Sequence, residues 1–214
     1  MIRDGKVLIN GLIAEPGMKV NPDLDSIQVN GQDLKSLNII PQVILFNKPK
    51  NVITACSDNH NRKTIIDFLP EEYKKGFFPI GRLDFLSRGA LLITNNGAIC
   101  FKLSHPKFEH KKIYIVKING ELNKKELDLW RSGIDLDGKK TNPCKIELIK
   151  KELQATFLKV TLREGRNRQI RRIANFLGYK VLDLQRVNFA NISLGNLKEG
   201  EWKLIKINKI NDIK

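Results

Sequence analysis

The sequence predicts an α+β fold preceded by a small β-rich unit, and three features of the chain carry that prediction. Short apolar or alternating β-like runs recur at Val43–Phe46, Leu91–Ile93, Lys112–Ile118 and Leu158–Leu162. Between and after them lie segments with helical start and stop signals, above all Asn123–Trp130 and Asn167–Leu177. Ahead of both, residues 1–34 alternate short apolar runs with Asn-Gly pairs, a pattern of tight turns between strands.

In that first segment Val7–Ile9 and Ile27–Val29 are β-like, and the Asn10-Gly11 and Asn30-Gly31 pairs that follow them both tolerate positive φ. The unit is too short to hold a core alone. Residues 35–42 read as a linker. Val43–Phe46 is then a short apolar strand stopped by Lys48-Pro49, because proline cannot continue a ladder. Thr64–Lys75 predicts a short helix interrupted at Pro70, and Leu91–Ile93 a buried strand that breaks at Thr94-Asn95-Asn96-Gly97. Ala98–Ser104 forms a helical stub closed by Pro106. The β-branched run Lys112–Ile118 is strand-like. Asn123 followed by Glu126 is a capping box that opens a helix reaching Trp130, with Gly133 as its stop. Leu158, Val160 and Leu162 alternate with Phe157, Lys159 and Thr161, so that strand has one core face.

The helix predicted over Asn167–Leu177 carries the most information. Ile170, Ile173, Ala174 and Leu177 form an apolar stripe, while Arg168, Arg171, Arg172 and Asn175 repeat the same spacing roughly opposite, and Gly178 ends the helix. Arg171 is the arginine nearest the stripe and the one expected to be partly covered.

With 38 Lys and Arg against 23 Asp and Glu, the net charge of +15 suits a polyanionic partner, nucleic acid first. A lysine-rich background composition would give the same charge without such a partner. Cys56, Cys100 and Cys144 form no CxxC pair, so neither a zinc site nor a disulfide framework is indicated, and they read as reduced, mostly packed thiols. His60, His105 and His110 lack the spacing of a metal triad and receive no ligand role. No apolar run approaches the roughly 20 residues that cross a bilayer, and the start of the chain lacks the apolar core of a secretory signal. A cytoplasmic protein with no membrane partner is the expectation.

Three segments could carry chemistry. In Gly81-Arg82-Leu83-Asp84, a glycine that permits an unusual backbone, an arginine, a core leucine and an acid lie just before a buried strand, a frame able to hold a carboxylate at a sheet edge. On the residues alone, Asp84 could equally cap the next turn or pair with a surface lysine. Tyr114 sits on its β-run, where an aromatic is commonly core. REGRNRQIRR, residues 163–172, holds five arginines. It reads either as a solvated basic face or as a phosphate grip, arginine's planar fork favouring the second.

These segments together resemble a known family. GRLDFLSRGALLITNNG, then HPKFEHKKIYIV, then REGRNRQIRRIANFLGYKVLDLQRVNFANISLGNLKEGEW are similar to the RsuA family of ribosomal pseudouridine synthases, and FNKPKNVITA at residues 46–55 matches its first motif. The resemblance covers residues 43–207 in order and spacing. It implies a mixed, largely antiparallel central sheet with flanking helices over residues 38–214. Residues 1–37 resemble the second half of an alpha-L RNA-binding module whose first helices are absent, so a truncated module is expected.

The resemblance also implies the activity: site-specific isomerisation of uridine to pseudouridine in ribosomal RNA, by an aspartate and with no metal or cofactor. The absence of a G-x-G-x-x-G fingerprint, a P-loop and a ligand cluster agrees with that chemistry. Asp84 is then the carboxylate, Arg171 the arginine that pairs with it, and Tyr114 the tyrosine that packs on the target base. A stacked uridine must be flipped out at a cost of a few kcal/mol, and Arg82 resembles the residue that fills the vacated space. Lys48, Arg166, Arg168 and Arg172 are the expected phosphate contacts. Ribosomal RNA or an assembling subunit is the expected partner, and the protein is expected to act as a monomer. One rival is a non-catalytic RNA-binding or assembly factor with the same fold, which has no need to bury an acid beside RNA. A metal-dependent nuclease would want two or three converging carboxylates, and this motif offers one.

Overall fold

A computed structural model describes residues 1–21, 24–34 and 40–213. The chain divides into two units, Met1–Ile40 and Pro41–Lys214. The expected linker at 35–42 and the boundary at 37/38 fall largely outside the described residues.

In the first unit both Asn-Gly pairs turn hairpins: Asn10 and Gly11 have φ of 51° and 82°, Asn30 and Gly31 of 51° and 75°, all in the left-handed region. Strands β1 (Val7–Ile9), β2 (Leu12–Ile13), β3 (Ile27–Val29) and β4 (Gln32–Asp33) form a sheet in the order β2-β1-β3-β4. Asn10 links two turns, its Oδ1 accepting from Ser26 N and its Nδ2 donating to Asp25. Among the described residues of this unit Ile9 and Ala14 are the buried apolar ones, a thin core.

The second unit begins with β5 (Val43–Lys48). A 3-10 turn at Ile65–Phe68 and helix α1 (Glu71–Lys74) follow, divided at Pro70 where the interrupted helix was predicted. Then come β6 (Phe78–Ile80), β7 (Arg88–Thr94), α2 (Gly97–Ser104), β8 (Lys112–Asn119) and α3 (Lys124–Ser132). Helix α3 has the full capping box of Asn123 and Glu126, and stops at Gly133 with φ of 92°. The short pair β9 (Asp135–Leu136) and β10 (Lys139–Lys140) precedes β11 (Lys145–Glu152) and β12 (Ala155–Leu162). The chain continues through α4 (Gln169–Phe176), β13 (Val181–Phe189), β14 (Ile192–Ser193), β15 (Trp202–Ile205) and α5 (Ile207–Asn211).

Among the described residues a nine-stranded sheet runs β11-β12-β8-β13-β7-β5-β15, with β14 on β13 and β6 on β7. The pair β7–β13 is parallel and the others antiparallel, so the sheet is mixed and largely antiparallel. Burial explains the sequence patterns. In β5, Ile44 and Phe46 join one core and Val43 and Leu45 the other; in β7, Leu91 and Ile93 divide from Ala90 and Leu92 in the same way. Both faces of these strands are covered, which is why they read as unbroken apolar runs. By contrast β12 buries Leu158, Val160 and Leu162 in one core and alternates.

The parallel contact depends on one glycine. Gly89 has φ of 109°, and a Cβ there would stand 2.2 Å from the Arg186 carbonyl oxygen. Any side chain would push β13 from β7 and displace Arg186, whose backbone the glycine faces.

The predicted arginine-rich helix is shorter than its apolar period suggested. It starts at Gln169, and Arg168 stands before it in left-handed backbone at φ 48°, outside the helical face on which the period placed it. For a residue with a Cβ that conformation costs about 1 kcal/mol. Strain of this kind concentrates at working sites.

Candidate active site

A cleft of about 370 Å³ opens between the segment 81–87, the start of β8, and the segment 163–170. That is within the roughly 300–1,000 Å³ common for small-ligand sites.

One side of the cleft is the segment carrying Asp84. Gly81 adopts φ of 71° with open space where a Cβ would be, so the turn requires glycine for its backbone and not for clearance. Leu83 is buried and clamped at both polar atoms by Thr54, whose Oγ1 donates to Leu83 O at 2.8 Å and accepts from Leu83 N at 3.3 Å. Ser87 N closes a turn on Asp84 O at 3.0 Å, and Asn51 N holds Phe85 O at 2.8 Å.

Lys48 supplies the central clamp. Its Nζ donates to Pro49 O at 2.9 Å, Asp84 O at 3.2 Å and Ser87 O at 2.9 Å, and the residue is 0% exposed. The expectation of a phosphate contact for Lys48 is therefore corrected: an ammonium sealed among three carbonyls has no donor left for RNA. It positions the acid's turn instead. Burial lowers its pKa to about 8, opposed by the nearby charge of Asp84.

The Asp84 carboxylate reaches into the cleft with 29% of its side chain exposed. Arg168 Nη1 lies 3.9 Å from its Oδ2 and Arg171 Nε 4.0 Å, both beyond hydrogen-bond reach. The acid neither caps a turn through its carboxylate nor pairs with a lysine in the described structure. Arg171 is partly covered, as its place beside the apolar stripe predicted. Its Nη1 donates to Val181 O at 3.3 Å and its Nη2 to Leu86 O at 2.9 Å and Ser87 Oγ at 3.4 Å. Its Nε is buried without a hydrogen-bond partner. Burial, together with the like charge of Arg168, lowers the Arg171 pKa.

Tyr114 is 9% exposed and lines the cleft from β8, opposite Arg186 on β13 and Val160 on β12. Arg82 is exposed at the rim. Asp84, Tyr114, Arg82, Arg166 and Arg168 thus line one cleft, and Arg171 stands behind the acid.

Two of the expected phosphate contacts have partners within the chain. Arg166 Nε donates to Glu164 Oε2 at 3.1 Å, its Nη1 to Lys139 O at 2.6 Å and its Nη2 to Lys140 O. This guanidinium fastens the β9–β10 pair to the segment while its side chain stays 20% exposed in the cleft lining, so fewer of its donors face solvent than those of Arg168. Arg172 pairs at 2.6 Å with Asp137, a surface contact that an RNA phosphate can replace. Among the expected phosphate contacts, Arg168 keeps an exposed side chain with one distant partner.

Sequence reasoning passed over four residues of the cleft. Glu164 accepts from Gln169 Nε2 at 2.7 Å and from Asn142 N at 2.8 Å, and the buried Gln169 accepts in turn from Arg166 N. Lys112 and the buried Arg186 line its inner part. A period of two along β13, with Leu184 and Arg186 both buried, was the signal that could have exposed Arg186. Among the described residues no group of three His, Cys, Asp or Glu is placed to hold a metal.

The chain is similar to proteins of known family. Residues 42–176 match the family model described as RNA pseudouridylate synthase. A ribosomal large subunit pseudouridine synthase B of Bacillus subtilis is 39% identical over 204 residues, covering 94% of this chain and 82% of that protein. The dual-specificity RNA pseudouridine synthase of Escherichia coli is 33% identical over 213 residues, covering 99% of this chain and 71% of that protein. A crystal structure described as a pseudouridylate synthase superposes with a TM-score of 0.76 at 27% identity, over 100% of this chain and 90% of that one. With the family model spanning more than half the chain and the cleft presenting a carboxylate beside arginines, this protein belongs to the RNA pseudouridylate synthase family, enzymes that isomerise uridine to pseudouridine.

Proposed function

We propose that the protein acts on ribosomal RNA of the large subunit, with Asp84 as the reacting carboxylate, Arg171 as its positioning cation and Tyr114 as the platform for the target base. The observation that carries this reading is the Asp84 carboxylate, free of hydrogen-bonded partners, 3.9 Å from Arg168 and 4.0 Å from Arg171 in the cleft. The substrate class follows from the relative in Bacillus subtilis, named a ribosomal large subunit pseudouridine synthase, and from the net charge of +15.

The reaction breaks the bond between ribose C1′ and uracil N1, turns the base, and joins C1′ to C5. The proton on C5 is lost and N1 gains one. Asp84 acts at the sugar, as nucleophile at C1′ or as base beside it, and is returned as the carboxylate. The Lys48 and Thr54 clamps fix the turn that carries it, which keeps the reacting oxygen in place while the base moves. Arg171, already tied to the same turn, needs a shift of under about 1 Å to hydrogen-bond the carboxylate through its unpartnered Nε. Arg82 at the rim fills the stack left by the flipped nucleotide, and Arg168 and Arg172 take phosphates. The first unit, Met1–Ile40, serves as an RNA-binding element, and the protein works in the cytoplasm.

Asp84→Asn tests the reading. RNA affinity is expected within a few fold of wild type, with pseudouridine formation in unmodified 23S RNA transcripts absent. Retained turnover overturns the assignment of Asp84. Pseudouridine formed in 16S and not 23S transcripts overturns the subunit.

A further inference from the structure

The inner part of the cleft holds two cations for which the steps above have no use. Arg186 is 3% exposed, its Nε donates to Ala90 O at 2.7 Å, and its Nη2 is buried with no partner. Its guanidinium lies 5.1 Å from the centroid of the Phe189 ring, and Lys112 Nζ lies 5.6 Å from the same ring. Lys112 Nζ donates to His110 O at 3.0 Å. Among the described residues neither cation has a carboxylate within salt-bridge distance. Glu164, the acid facing Lys112, is already held by Arg166, Gln169 and Asn142.

A buried guanidinium N–H left without an acceptor is costly, the more so because the group is charged. Two unneutralised cations close together make the arrangement worse still. Surface arginines gripping phosphates stay in water until RNA arrives, but Arg186 is in place and dry beforehand, with Lys112 half-buried beside it. The burial of Arg186 favours a small planar group over a backbone phosphate as the occupant. A group that enters so far must be the part of the nucleotide that leaves the RNA stack, the base. Tyr114, the cross-strand neighbour of Arg186, marks the same place.

We infer that Arg186 and Lys112 form an anion subsite that receives the carbonyl oxygens of the detached uracil and stabilises the negative charge it carries after the C1′–N1 bond breaks. The inference rests on the pseudouridine synthase reading. When that bond breaks, its electron pair goes to the base and spreads over N1, O2 and O4. A preorganised pair of donors at those oxygens lowers the barrier to departure and holds the base while C5 comes round to C1′. The charge disappears once C1′–C5 has formed and the C5 proton has left, so the subsite binds the intermediate more tightly than uridine or product.

Lys112 gives the subsite a pH signature. Burial, then the like charge of Arg186, lowers its pKa to about 8, with Glu164 opposing. The charged groups facing it are Arg186 on β13 and Glu164 beyond β12, and His110 offers its carbonyl. Above pH 8 the free enzyme loses this charge, so kcat/KM falls there. Lys48 also titrates at about 8, and Lys112→Arg separates the two, since only the Lys112 contribution then moves to higher pH.

The experiment uses the full chain and 23S RNA transcripts carrying tritium at uracil C5, whose release counts new C1′–C5 bonds in a single turnover. Lys112→Met is expected to lower the rate about 100-fold, the loss typical of removing one donor at a developing oxyanion. RNA affinity and its salt dependence should stay within about threefold of wild type. Lys112→Arg should recover most of the rate and abolish the fall above pH 8. A wild-type rate in Lys112→Met overturns the inference. So does a loss confined to affinity with a shallower salt slope, the mark of a phosphate contact, or a rate loss that only tracks a lowered melting temperature. Arg186→Lys, if folded, should slow the same step. A wild-type protein that releases no tritium from any transcript instead fails the reading on which the inference rests.

Discussion

The segment 81–87 and the segment 163–172 face each other across one cleft, and they are held in opposite ways. In the first, the backbone is fastened and the key side chain is loose: Lys48, Thr54, Asn51 and Ser87 hold the backbone atoms of residues 83–87, while the Asp84 carboxylate has cations at 3.9 and 4.0 Å. In the second, the side chains are fastened: Arg166 to two carbonyls and Glu164, Arg172 to Asp137, Arg171 to the opposite turn. A reacting group must be placed without being neutralised, and that needs a clamped backbone. A binding wall needs its charges spread and mostly compensated, so that a few remain for the substrate. The difference shows that the number of arginines in a segment says little about how many can grip RNA.

The largest effect should come from loosening the clamped turn. Lys48→Met removes the donor from three carbonyls; a loss of about 2–4 kcal/mol in urea unfolding is expected, with activity falling more than the unfolded fraction explains. Equal stability in the two proteins would break the comparison. The pH dependence sharpens it. The Lys48 ammonium has a pKa of about 8 in the fold against about 10.4 unfolded. The unfolded chain therefore binds more protons between those values, and the Lys48 contribution to stability rises with pH across that window and is flat below pH 8. Lys48→Met should lose that rise.

Next in size is Arg171→Met. This change takes away both the cation behind the acid and the bonds to Leu86 and Ser87, and a drop of about 10- to 100-fold in single-turnover rate is expected, with RNA affinity nearly unchanged. A loss in affinity alone would return Arg171 to the binding wall. The smallest effects divide the arginines of the second segment. Arg168→Ala should reduce the slope of log affinity against log salt by about one charge. Arg166→Ala should leave that slope alone and lower the unfolding free energy by about 1–2 kcal/mol. If both changed the slope equally, the two segments would not differ as described.

Much of the architecture was legible in the residues. The capping box at Asn123 and Glu126, the Asn-Gly turns, the break at Pro70 and the alternation in Leu158–Leu162 each appear where local chemistry places them, because each is decided by a few neighbouring residues. The nine-residue β13 and the edge strand β15 went unread. The first carries Asp183, Gln185 and Arg186 in a strand whose partners are far away in sequence, and local preference cannot reveal that a charged residue faces a cleft. Asp183 illustrates the same blindness. Burial works to raise its carboxyl, yet hydrogen bonds from Arg88 and Lys50 outweigh that and hold it at about 2, through residues far from it in the chain.

By itself, the sequence determined the α+β class, the family resemblance and the nomination of Asp84, Tyr114 and Arg171, since motif spacing and apolar period are properties of short stretches. Tertiary structure alone decided which cations are available. Lys48 is closed in by carbonyls and Arg166 is tied to two carbonyls and Glu164, while Arg186 is delivered to the cleft by the parallel approach of β13 to Gly89. The physical reason is that a charge acts according to its solvation and its partners, and the fold alone supplies both.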